Sequence, residues 1–377
     1  MPCKIFQKFL PIGDESPFIE TKSHSHNISR NVHMKSFRPA RFAAPLLALS
    51  ALLPSLHAEV GNVQGVKSYL VSTVAKMDAA AHDFVTNAKA YAAIIDAYNG
   101  DYAKAYAAKK PEIDALVKAM QENYKAMDSY GYETVEGIVG GVDSFTHYDR
   151  DLDAGVPQTA GADNVAEIVL TLRDGARIDH QGCLFTYIIE PTLWGGDKRW
   201  ITPIDLNGDG KLAPRESLPK ADVVLAASAD VSARIDALLA DANAWQPTQA
   251  DCIAAMITMT PTLSDYFEDW KESRYAASES GRFYAVSRVS DMRGIMGSCA
   301  IMYQAVDPTV AQKDAALAKA IRNGFQGITS FLDKIDAREK SGDIQLAEID
   351  EMASQAKEHT DKLVPQIEQA QALVEKN

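Results

Sequence analysis

Residues 131–155 read GYETVEGIVGGVDSFTHYDRDLDAG, and the fold turns on how this stretch is taken. It carries Glu133, Glu136, Asp143, Asp149, Asp151 and Asp153 together with Tyr132, His147 and Tyr148. If its first half is helical, Glu133 and Glu136 stand three residues apart on one face. Two like charges held there repel, and a bound cation is the group that offsets them. A solvated acidic helix end beside a loop accounts for the same residues. Against that stand the neighbours Gly137, Ile138, Val139, Gly140 and Gly141, small and apolar, which suit a segment packed inside a bundle. The stretch is therefore expected to form a third helix followed by an acidic loop.

On its N-terminal side, Val66, Leu70, Val74, Met77, Ala81, Phe84, Ala88 and Ile95 fall at helical spacing between Val60 and Tyr98, and Asn99-Gly100 ends the run. A short helical piece to Lys109 follows, and Pro111 then opens a new helix that Gly131 closes. On the other side the texture changes. Ile168, Leu170 and Leu172 alternate, Asp174-Gly175 supplies a tight turn and ARIDH returns, which is a hairpin. Helical patterning resumes at 221–245, continues over 251–275 with a break at Pro261, and fills 282–306, 308–340 and 347–376. The expected fold is mostly α: two antiparallel helical bundles, residues 59–155 and 221–377, separated by a small irregular β-containing insertion at 156–220.

The chain has 377 residues and a formal net charge of -13, enough for one large or two medium domains. Met34 opens MKSFRPARF, a basic segment ahead of the apolar run AAPLLALSALLPSL, with Leu56-His57-Ala58 as the cleavage end. This reads as a secretory signal over 34–58, too short for a membrane span, with 1–33 as an over-extended start. The mature chain is expected in a periplasm or secreted, without stable membrane insertion. Residues 1–58 hold seven Lys/Arg and three Asp/Glu, so the remainder is near -17. Such acidity excludes nucleic acid and anionic membranes as partners and suits a cationic ligand. Only His82, His147, His180 and His359 follow residue 58, so a metal site must rest on hard oxygen donors, suited to Ca²⁺, Mn²⁺ or Fe³⁺.

The insertion contains DLNGDGKLAPRE at 205–216, the spacing of a twelve-residue calcium loop. Asp205, Asn207 and Asp209 offer side-chain oxygens, Gly210 the turn, Lys211 its carbonyl and Glu216 a bidentate carboxylate. Pro203 and Pro214 argue against a helix on either side, and calcium there is structural in this reading. In SDYFEDWKESRY (264–275) acid and aromatic faces lie side by side. In Ser287–Arg293, Asp291 sits between Arg288 and Arg293, which either bind a small oxyanion or make salt-bridged helix packing. Glu190, amid Ile188, Ile189, Leu193 and Trp194, must be paired or metal-bound if buried. Cys252 and Cys299 fall on consecutive antiparallel helices at similar heights, which predicts a disulfide and leaves Cys183 free; two buried thiols on different helix faces are the alternative.

The pieces VEGIVGGVDSFTHYDRDLDAG, LFTYIIEPTLWG, DLNGDGKL, PTLSDYFEDWKESRY and FYAVSRVSDMRGI resemble the Fe-assimilation proteins of algae and their bacterial relatives, a group related to the phytotransferrins. The helical layout is similar to the imelysin/EfeO family of periplasmic iron-uptake proteins, whose motif GxHxxE corresponds to Gly131, Glu133 and Glu136. Glu133 stands where that motif has histidine. The resemblance implies extracytoplasmic iron binding for uptake, with Fe³⁺, a carbonate-like anion and an inner-membrane iron permease as partner. The iron site it implies lies between the helical halves and uses Glu133, Glu136, Asp149, Glu190, Tyr266 and Asp291, with Arg288 and Arg293 for the anion. No covalent chemistry is expected. Rival readings are a metallopeptidase with Glu133 or Glu136 as general base, and a calcium-stabilised structural or adhesive protein.

Overall fold

The side-chain oxygen of Asn62 accepts from the amide of Gln64 at 2.8 Å and caps helix α1, Val63–Ala97. The computed structural model describes residues 62–158, 162, 164–276, 278 and 283–375. The expectations for 1–33, for the signal at 34–58 and for cleavage near Ala58 lie outside them. Every apolar position read at helical spacing in α1 is buried. Asn99 and Gly100, both at positive φ, end it. Asp101 caps α2, Tyr102–Met127, and Lys109 leaves helical geometry two residues before Pro111, so the break falls where the sequence places it.

The expected third helix is instead a string of single turns. A 3₁₀ turn at Tyr132–Thr134 leads into α3, Glu136–Val139; α4, Thr146–Asp149, runs into a π-helical turn at Arg150–Ala154. The paired glycines 140 and 141, poor helix formers, separate α3 from α4. The hairpin forms as read, β1 (Val169–Thr171) against β2 (Arg177–Asp179), with Gly175 at positive φ in the turn. A π-helical turn at Phe185–Ile189 feeds α5, Glu190–Leu193. Then β3, Ile201–Pro203, pairs antiparallel with β4, Ser217–Pro219, and the calcium-type loop spans the gap between them.

The remaining helices are α6 (Ala221–Ala244), α7 (Gln249–Met259), α8 (Tyr266–Lys271), α9 (Arg288–Lys313), α10 (Ala315–Ser341) and α11 (Leu346–Val374). Pro261 breaks the chain between α7 and α8 as expected, inside a 3₁₀ turn. Pro308, by contrast, lies inside α9, and the break comes at Asp314, whose side chain caps α10. In space α1 packs against α2 and α6, while α9 packs against α7 and α10, and α11 closes over α7 and α10. Residues 221–244 thus join α1 rather than the C-terminal half in which the sequence grouping places them. The architecture is mostly helical with two small antiparallel strand pairs; the short turns of 132–154 lie against both sets of helices, and those of 185–193 lie against α2 and α6. Among the described residues no helix is long and apolar enough to cross a membrane.

The Cys252–Cys299 disulfide does not form; both thiols, like Cys183, are free and buried. The reason is height along the helix. The Cys299 sulfur packs beside Gly137 and interacts with Thr260. Thr260 is eight residues beyond Cys252, about 12 Å along the axis, far outside the Cα separation a disulfide spans. Alkylation of unfolded, unreduced protein is expected to label all three; recovery of a Cys252–Cys299 cross-linked peptide would contradict this.

Candidate metal centre

Two glycines let the acidic turn press onto α9. A Cβ at Gly294 would lie 2.8 Å from the carbonyl oxygen of Glu133, and one at Gly137 would lie 2.9 Å from that of Ile295. Neither contact leaves room for a side chain. This close approach carries Glu133 and Glu136 into the interior, where they are 0% and 1% exposed. Asp128, the residue that ends α2, and Asp153, in the π-helical turn, are buried beside them.

Oxygens of Asp128, Glu133 and Asp153 lie within 4.8 Å of one another. Arg288, at the start of α9, is the buried cation facing them: one guanidinium nitrogen donates to Glu133 Oε1 at 2.9 Å and to Asp291 Oδ2 at 3.1 Å. Its other terminal nitrogen is 3.9 Å from Asp269, and its plane lies near the rings of Tyr266 and Phe283. Tyr266 donates to Glu136 Oε1, and Tyr132 donates to Asp149 Oδ1 at 2.6 Å. Glu190 accepts from the Ala285 amide at 2.9 Å, and Thr186 donates to Asp153 at 3.3 Å.

Burial and mutual repulsion dominate the electrostatics. Burial first, then the charge of Glu133, pushes Asp153 up to about 8 and holds Asp128, Glu136 and Asp291 well above the carboxylate range. Asp149 is pushed up to about 6, mainly by burial. Burial and neighbouring carboxylates raise Tyr132 and Tyr266 as well, so both are neutral phenol donors. Glu190 is raised by burial, an effect opposed by the Ala285 and Tyr284 amides. Three buried oxygens, Glu133 Oε2, Glu136 Oε2 and Asp291 Oδ1, have no hydrogen-bond donor. Unpaired carboxylate oxygens at this depth are costly alone. Oxygen atoms of this kind are the ligands hard cations take.

The Imelysin model (Peptidase_M75) matches residues 185–374. The chain belongs to the imelysin family. No curated protein matches it. The span shared with imelysin carries Glu190, Tyr266, Arg288 and Asp291, whereas the half of the centre from Asp128 to Asp153 precedes it.

In this imelysin-family chain, Glu133, Glu136, Asp149, Tyr266, Asp291 and Arg288 come together, and Glu190 borders the group. Arg293 does not. It is 42% exposed and pairs with Asp333 and Asp336 of α10 at 2.7 and 3.5 Å, which is salt-bridged packing rather than an anion site. Five residues along a helix turn Arg293 about 140° from Arg288, so the two cannot face one ligand. Asp128 and Asp153 are absent from the sequence-derived set. Asp153 sits in the acidic loop already singled out; Asp128 has only its place at a helix end, five residues before Glu133, to mark it. At the surface, Asp78 and His82 of α1 also meet Asp236 of α6.

The calcium-type loop is exposed and flanked by strands, not helices. Asp205 accepts from the amides of Gly208 and Gly210 at 2.6 and 2.8 Å, and Asn207 and Asp209 accept from residues two further on. Glu216 accepts from the amides of Leu206, Asn207 and Ala213. Lys211 lies in the same turn, its amide being the donor to Asp209.

Proposed function

We propose that the protein captures iron in the buried acidic centre, with Asp128, Glu133 and Asp153 as ligands, and passes it to an inner-membrane permease. The observation that carries this is the convergence of three buried carboxylates within 4.8 Å, beside oxygens that no donor reaches. Oxygen-only ligation favours a hard ion, Fe³⁺ above softer metals. Imelysin membership supports the reading at the level of iron uptake outside the cytoplasm. Enclosure of Glu133 and Glu136 leaves no room for a peptide against either, which favours binding over hydrolysis. A carbonate-like companion would have Arg288 Nε as a donor, a buried guanidinium nitrogen without an acceptor. To test the function, chelator-stripped protein is exposed to ferric citrate, desalted and analysed for metal. Retained iron is expected; calcium alone would overturn the proposal.

The second cation in this proposal is calcium at Asp205, Asn207, Asp209, Lys211 and Glu216. Strands on both flanks favour a structural ion, since there is no helix pair to open. At about 100 times Kd, calcium should stabilise the fold by about 2.7 kcal/mol. Glu216→Gln should lose most of that response in thermal melts. Equal melting of wild type with calcium and with chelator would refute the site.

A further inference from the structure

We infer that calcium in the 205–216 loop holds the strap 283–287 closed over the acidic centre and so tightens iron binding. This rests on the two cation readings above and adds a coupling between them. Asp128, Glu133 and Asp153 are all buried, so iron enters only when a segment covering the centre moves. The strap is such a segment. Phe283, itself buried, lays its ring centre 4.5 Å from Arg288 Cζ, and Arg288 in turn holds Glu133. Ala285 is tied at both backbone groups: its amide donates to Glu190 at 2.9 Å, and its carbonyl accepts from Tyr275 at 3.2 Å.

Tyr284 stands between Phe283 and Ala285, and the calcium-type loop reaches it. Arg215 Cζ lies 3.3 Å from the centre of the Tyr284 ring, a cation–π contact. Arg215 directly precedes Glu216, the carboxylate that completes the loop. A Cβ at Gly195 would lie 2.7 Å from the Arg215 carbonyl oxygen, so the end of the loop is pressed onto the turn that follows α5. The same α5 carries Glu190, the acceptor of the Ala285 amide. Bonded and packed neighbours thus run without a gap from Glu216 through Arg215, Tyr284, Phe283 and Arg288 to Glu133, the kind of contiguous network that couples two sites.

Two links of this chain are under backbone strain. Arg215 has φ 68° and Phe283 has φ 54°, a left-handed conformation that non-glycine residues keep only where the surroundings impose it. In the loop, Asp205, Asp209 and Glu216 repel one another, which loosens the segment that imposes it on Arg215. Calcium cancels that repulsion, fixes Glu216 and with it sets Arg215 over Tyr284. Opening the strap breaks the Arg215–Tyr284 contact, so calcium favours the closed form. Iron, enclosed by the closed form, favours the calcium-bound loop in return, and linkage makes the two effects equal.

The test follows hydrogen exchange of the Ala285 amide in iron-free wild type with and without Ca²⁺, and competition for ferric iron against a hydroxamate chelator under the same conditions. Calcium should slow the exchange and raise iron affinity about tenfold, and bound iron should raise calcium affinity by the same factor. Arg215→Ala and Tyr284→Leu break the contact from either side; both should still bind calcium and iron but lose the coupling. Calcium binding, seen as a thermal shift, with Ala285 exchange and iron affinity unchanged overturns this inference and leaves both cation readings standing. Coupling that survives in both variants also overturns it. No thermal shift with calcium removes the loop site and this inference with it. No iron retained with or without calcium overturns the iron reading and the coupling together.

Discussion

Asp153→Asn should weaken iron binding about 100-fold, the upper end of what losing even a supporting residue costs a metal site. The same substitution should stabilise the metal-free protein at alkaline pH. Asp153 is pushed from 3.8 up to about 8, by burial first and by Glu133 second. An acid whose pKa is higher in the fold than in the unfolded chain takes up a proton on folding, so stability falls as pH rises between those two values. Each pH unit in that window costs about 1.4 kcal/mol per such group. Metal-free wild type should therefore melt at a lower temperature at pH 8 than at pH 5, and Asp153→Asn should flatten the dependence. Bound iron should do the same, by supplying the positive charge that the proton supplied. Iron titrations and melts from pH 5 to 8 check both halves. A variant with wild-type affinity and a wild-type pH profile would remove Asp153 from the centre.

Arg288→Met should cost about 3–5 kcal/mol, the penalty for leaving a buried charge without its partner. Here two carboxylates, Glu133 and Asp291, lose their shared donor at once. Arg293→Met, five residues away and half exposed, should cost less than ~1 kcal/mol despite pairing with two aspartates. Lysine should restore Arg288 only in part, because an ammonium does not reproduce the planar fork between two carboxylates. Urea unfolding of the three variants measures the difference. Similar losses at 288 and 293 would mean that Arg288 is ordinary helix packing and that the carboxylates are held by something else.

The parts of this structure that were legible in the sequence are those set by neighbours along the chain. The α1 stripe from Val66 to Ile95, the break ahead of Pro111 and the turn at Asp174-Gly175 are all local signals, and each appears where it was read. Glu133 and Glu136 stood out because a like-charged pair amid small apolar residues calls for compensation. What was not legible depends on contacts between distant segments. No local pattern reveals that α6 lies along α1, since its apolar face would fit either bundle. Asp128 looks like any acidic residue at a helix end until the glycine contacts at 137 and 294 draw the next turn inward beside it. The disulfide reading failed for a related reason: it took heights from a common joint, whereas the Cys299 sulfur sits level with Thr260, beyond the end of α7. Spacing also misled at Arg293, where sequence proximity to Arg288 concealed a rotation to the opposite side of the helix.

Diffraction at the iron absorption edge from crystals grown with ferric iron tests the central claim most directly, because it locates the metal without relying on a variant. An anomalous peak is expected among Asp128, Glu133 and Asp153, bonded to oxygens of all three. A centre without iron density, or iron found only in the 205–216 loop or at the surface trio of Asp78, His82 and Asp236, would contradict it.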